Sequence, residues 1–226
     1  GHVMLQPGTL RRLVDYFESH QDCQDLLQGP MLSENLGSLH THFEPIWSKG
    51  MYGRWGNDER AENPDGPAFE IPMQGLGLFA CRKDAWVGFN PRFRGFGGEE
   101  GYLHEKFRQR GGKALCLPFL RWLHRFSRPG GVPYPINWHD RIFNYLIGCH
   151  ELGLDPERLR VHFTEHLGEE PASEILNQIE DEIRSPFFYF DAIYCITLDA
   201  DSSIFEKMYR VLNALGIGAS VRINKE

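Results

Sequence analysis

The sequence predicts an α/β fold. Short β-branched or aromatic runs alternate with longer amphipathic helices, and glycine or proline punctuates nearly every junction. The 226 residues are enough to bury a sizeable core. Hydrophobic residues make up 41% and charged residues 24%, which excludes a disordered tail or a coiled coil. No apolar run approaches the ~18 residues of a membrane span.

Taken in order, residues 2–5 read as the end of a strand. Residues 7–20 read as a helix, with Leu10, Leu13, Val14 and Phe17 on one face. Residues 25–32 suggest a short strand. Residues 33–67 show no period and read as a long loop carrying Phe43, Trp47, Tyr52 and Trp55. Residues 69–81 read as extended, with Gly75 and Gly77 permitting close backbone approach. A helical turn at 83–87 and a glycine-rich turn at 95–101 lead into a helix over 99–110, closed by Gly111-Gly112. Short strands at 114–117 and 120–123 flank Pro118, and 127–135 is a loop. Three helices follow at about 137–152, 156–167 and 172–184, the second opened by Asp155-Pro156. Residues 187–198, 201–215 and 219–223 then read as strand, helix and strand, the start of a parallel α/β unit. These patterns imply a domain over 1–150, a helical linker over 151–185 and the opening of a second domain over 186–226.

Twenty-four Lys and Arg stand against 31 Asp and Glu, a net charge of -7, so nucleic acid is not an expected partner. Any anionic ligand needs a local basic pocket. Aromatics reach 13%, consistent with sugar or partner contact and equally with an aromatic core. The five cysteines are widely spaced, and no leader of basic and apolar regions is present. Both features predict a reducing, cytoplasmic setting. The Gly1-His2 opening reads as a non-native leader or a cut within a longer chain.

Two windows carry chemistry. In the first, Phe93-Arg94-Gly95-Phe96-Gly97-Gly98-Glu99-Glu100 sets two acids after a glycine turn at a helix start. A helix N-terminus favours ionised carboxylates, which could accept a proton from a hydroxyl or bind a sugar hydroxyl. Plain helix capping explains the same residues. In the second, His124 follows a short strand and precedes Arg125, Arg128 and Pro133-Tyr134. A histidine beside arginines at a strand end suits a metal-bound diphosphate, because the cations neutralise phosphate oxygens. Trp47 and Trp55 either stack on an acceptor sugar or peptide, or pin a long loop to the core. His40 and His42 form an HxH pair without a clear third ligand, and His162 and His166 lie at i, i+4 without an HExxH pattern.

The string Gln74-Gly75-Leu76-Gly77-Leu78-Phe79-Ala80, with Lys83-Asp84, Phe89 and the Gly97-Gly98-Glu99-Glu100 turn, resembles the second half of a GT-A glycosyltransferase. It is similar to the family 2 enzymes and to the polypeptide N-acetylgalactosaminyltransferases. His124-Arg125-Phe126 with Pro133-Tyr134 resembles the latter's "HVFR…PY" segment, and His2-Val3-Met4-Leu5 resembles the end of their "DxH" motif. The likeness covers about residues 1–150. It implies a partial GT-A (nucleotide-diphospho-sugar transferase) fold with a helical C-terminal extension. It further implies a UDP-sugar donor, a glycan, peptide or lipid-linked acceptor, and Mn²⁺ or Mg²⁺ held by His124 and His2. By the same likeness Glu99 or Glu100 is the base or acceptor ligand. Gly75, Gly77, Gly98, Arg125, Arg128 and Tyr134 would lie at the donor, and the stacking reading of Trp47 and Trp55 would put them at the acceptor. The chain departs from the pattern in its Glu99-Glu100 pair and in starting after the aspartate of DxH, which implies an incomplete enzyme. Residues 193–199, with Phe205-Glu206-Lys207-Met208 and Leu215-Gly216-Ile217, resemble the first strand and helix of family 25 glycosyltransferases. The rival expectation is a non-catalytic carbohydrate-binding or protein-interaction module. A sheet edge left bare by truncation would also allow a homodimer.

Overall fold

The structure, a computed structural model, describes residues 2–34, 37–127, 131, 137–185, 188 and 203–214. It is a mixed α/β protein, and its chain divides into two units, residues 1–176 and 177–226.

In the first unit β1 (Val3–Leu5) leads into helix α1 (Thr9–Ser19), then β2 (Leu26–Gln28), β3 (Met31–Leu32) and β4 (Leu39–His40). Strands β5 (His42–Ser48) and β6 (Met51–Gly56) form a hairpin, followed by β7 (Phe69–Glu70). Helix α2 (Glu99–Gln109) precedes β8 (Ala114–Cys116) and β9 (Trp122–His124). Helices α3 (Trp138–Leu152) and α4 (Glu157–Leu167) follow, and α5 (Glu169–Arg184) runs across the division between the units. In the second unit, α6 spans Ser203–Ala214. The strands at 187–198 and 219–223, and the family 25-like residues 193–199 and 215–217, lie outside the described residues.

One sheet has the order β1-β9-β3-β4, with β3 and β9 parallel and the outer pairs antiparallel. A second has the order β2-β8-β7, with β2 and β8 parallel. Strand β2 is buried at all three positions, which is why its sequence reads as an unbroken apolar pair rather than an alternation. Its successive side chains point to opposite faces. Leu26 packs with Tyr102, Leu103 and Phe107 of α2, while Leu27 packs with Leu117, Leu120 and the apolar face of α1. Tyr102, Leu103 and Phe107 are therefore the core face of α2, as their spacing predicts.

The expected loop at 33–67 is instead β4 and the β5–β6 hairpin. Two features hide the hairpin from a pattern reading. Pro45 interrupts the alternation, and the register shifts between Glu44 and Trp47. The turn is Lys49-Gly50, with φ of 51° and 72°. Positive φ at both central residues matches the twist of a two-residue hairpin, a role that Asn-Gly or Asp-Gly usually announces. Residues 69–81 are strand only at Phe69–Glu70, and the rest is turn that bends past β2 through the Leu27–Ala80 bridge.

Candidate active site

The two glutamates start α2, and α3 dictates where that start lies. Asn144 of α3 clamps the preceding turn three times. Its Oδ1 accepts the Arg94 N–H at 3.0 Å, and its Nδ2 donates to Arg94 O at 2.7 Å and to Gly97 O at 2.8 Å. Arg94 also meets Asp140 at 3.3 Å and lies over the Phe143 ring. Gly98 caps the helix at φ 97°, and a Cβ there would stand 2.9 Å from Asn144 Cβ. Only glycine combines that left-handed conformation with so close an approach.

Glu99 and Glu100 are both held above the ordinary carboxylate range. Burial is the main cause for each, and the charge of Glu99 adds to it at Glu100. The N–H groups at the helix start and the Arg141 guanidinium oppose the rise without reversing it. The helix N-terminus therefore does not by itself set these groups: desolvation by the surrounding protein outweighs the end of the dipole. Arg141 is itself buried, donating from Nε to Phe96 O at 3.5 Å and from Nη1 to Gly50 O at 3.4 Å. Tyr145, one turn along α3, feels Glu100 as well: burial first, then that negative charge, pushes its phenol up.

His104 was not singled out by the sequence. It is fully buried and ties three segments together. Its Nδ1 lies 2.6 Å from Glu100 O, and its Nε2 accepts the Gln74 N–H at 3.1 Å and lies 2.6 Å from Gln28 Oε1. Gln28 in turn donates to Gly75 O at 3.1 Å. Burial lowers the imidazole to about 4, so it is neutral at neutral pH. The signal in the sequence was a polar residue at an otherwise apolar helix face, between Leu103 and Phe107. The network carries the position of Glu100 to the segment that holds Gly75 and Gly77.

Gly77 meets the second window. A Cβ on Gly77 would stand 2.7 Å from the Trp122 ring and 3.4 Å from His124. Antiparallel pairing of β1 with β9 sets Val3 opposite His124, so His2 arrives beside it. The two imidazole centroids are 5.0 Å apart, edge to face. The Arg125 N–H donates to His2 O at 2.7 Å, extending the pairing by one residue. Residues far apart in sequence and named separately as ligands thus share one strand end. Among the described residues no group of three or more His, Cys, Asp or Glu side chains could hold a metal. Two adjacent imidazoles are at most two nitrogen donors, and Mn²⁺, which prefers oxygen ligands, would need further donors to complete a site. Arg128 and Tyr134 lie outside the described residues.

The tryptophans separate. Trp55 faces Phe43 across the hairpin, with ring centroids 4.3 Å apart. A Cβ on Gly75 would lie 3.4 Å from it, so Trp55 borders the same segment as His124 and His104. Trp47 packs among Tyr52, Tyr145, His162 and Phe163 with centroids 4.8–5.8 Å away. That packing pins the hairpin to α3 and α4. His40 and His42 bond to Ser38 and Thr41 respectively. A groove of about 420 Å³ lined by Pro45, Tyr52, Glu70, Ile71, Pro72, Met73 and Arg108 contains none of the expected site residues.

Neither a protein-family model nor a curated protein sequence matches the chain. Among solved structures, the crystal structure of GalNAc-T7 with UDP, GalNAc and Mn²⁺ aligns at 15% identity and a TM-score of 0.49. The alignment covers 82% of this chain and 40% of that one, so the chain spans less than half the length of that relative.

Proposed function

We propose that this chain carries part of a GT-A-type glycosyltransferase, moving a sugar from a UDP-linked donor to an acceptor hydroxyl. The observation that supports it is the convergence on one segment, residues 74–77. The glutamate helix reaches Gln74 through His104, and the histidine strand end packs on Gly77. On this reading residues 1–150 belong to the transferase, 151–185 form a helical link, and 186–226 open a second module.

The acceptor oxygen attacks the anomeric carbon as the bond from that carbon to the diphosphate breaks. Glu100, or Glu99, takes the hydroxyl proton. Its raised affinity for protons suits that task, because a base is most effective when its pKa lies near the working pH. Arg125, with Arg128 and Tyr134, balances negative charge growing on the leaving diphosphate. His124 and His2 would hold a divalent cation against the same phosphates. When bound, that ion supplies Lewis-acid stabilisation of the leaving group. Gly75, Gly77 and Gly98 act on the donor side only through packing, since Trp55, Trp122 and Asn144 fill the space beside them, and Trp55 offers a ring to the acceptor. Trp47 acts in the same place only indirectly, through the hairpin.

Calorimetric titration of the chain with UDP, with and without Mn²⁺, tests this. The expected result is Mn²⁺-dependent binding that is lost in His124→Ala. UDP binding that ignores the metal, or survives that substitution, would overturn the diphosphate assignment.

A further inference from the structure

The tip of the β5–β6 hairpin has both backbone groups of Gly50 taken by side chains of other elements. Its carbonyl accepts from Arg141 of α3, and its N–H donates to His162 Nε2 of α4 at 3.0 Å. An imidazole nitrogen that accepts a hydrogen bond carries no proton. A proton placed on Nε2 would face the Gly50 N–H donor to donor. We propose that His162 is a proton-operated latch on this hairpin: neutral His162 holds the tip, and protonated His162 releases it.

Two rings flank His162. Trp47 lies against one side of the ring, 5.1 Å away and inclined by 23°, and His166 stacks parallel at 5.8 Å. The charged and titratable groups that act on His162 are His166 and Glu165 of its own helix, and Arg141 of α3 shares the Gly50 peptide with it. Burial and His166 lower the proton affinity of His162, and Glu165 raises it. The latch reaches further than the hairpin. Arg141, which holds the Gly50 carbonyl, also holds Phe96 O in the turn before Glu99. Loosening the tip therefore removes one of the contacts that hold Arg141 beside the glutamate turn. The latch itself stands whether or not the chain transfers a sugar.

Amide exchange and imidazole ¹⁵N shifts of the intact chain, followed by NMR from pH 7.5 to 4.5, test the latch. At pH 7.5 the proton of His162 should reside on Nδ1. As His162 titrates, protection of the Gly50 amide, corrected for intrinsic exchange, should fall at least tenfold. The Tyr52 amide, which donates to the Tyr145 hydroxyl, should keep its protection and so rules out global unfolding. In His162→Gln, whose amide oxygen accepts without titrating, the Gly50 step should vanish. A proton on Nε2 at pH 7.5 would overturn the latch. So would constant Gly50 protection through the titration, a His162 still neutral at pH 4.5, or an unchanged step in His162→Gln.

Discussion

Acidification should weaken this fold through His104. The ring is buried without a carboxylate partner, and its proton affinity drops from the ordinary 6.5 to about 4. An unfolded chain binds the proton below pH 6.5, while the native state does not until about pH 4. Native stability from this group is thus complete above pH 6.5 and is lost as pH falls toward 4. At about 1.4 kcal/mol per pH unit, the gap amounts to about 3 kcal/mol, a large share of a typical total. A proton on Nε2 would gain Gln28 Oε1 but oppose the Gln74 N–H, so burial remains the deciding cost. Urea unfolding of wild type and His104→Gln at pH 7 and pH 4 isolates the group, because other titrations cancel between the two. Wild type should lose about 3 kcal/mol more than the variant over that interval. Equal losses would mean that His104 is protonated in the native state, or that Gln28 rewards the proton fully.

Two further outcomes follow from the glutamate turn. In a full-length parent, Glu100→Gln should reduce transfer by about 10²–10⁴-fold if Glu100 is the base, measured as sugar transfer from UDP-sugar to acceptor. The same variant should be more stable than wild type at pH 8, with the difference closing by pH 4. The native carboxyl binds its proton more tightly than the unfolded one, so ionising it above the ordinary range costs stability. Denaturation midpoints at the two pH values check the sign. Gly98→Ala should destabilise by about 2–4 kcal/mol, from the left-handed backbone and the approach to Asn144 together. A loss below about 0.5 kcal/mol in thermal unfolding would mean the turn relaxes around the methyl.

Local pattern was enough for the helices. The 99–110 and 137–152 expectations match α2 and α3 within a residue or two, because capping and a 3.6-residue apolar period are written in adjacent residues. Two acids after a glycine turn and a histidine closing a short strand were also legible as local features, since each lies within a few adjacent residues. The β5–β6 hairpin was not, because Lys49-Gly50 is an uncommon turn pair, and Pro45 and the register shift before Trp47 break the alternation. Nor was His104, whose partners Gln28 and Gln74 are distant in the chain.

The sequence by itself determined that this is an α/β protein with two acids at a helix start and a histidine at a strand end. Only tertiary structure decided that His2 stands beside His124, that burial rather than the helix end governs Glu99 and Glu100, and that Trp47 belongs to the scaffold. The reason is common to all three. Desolvation and ring contact depend on which segments meet in space, and a single chain records that meeting at no one position.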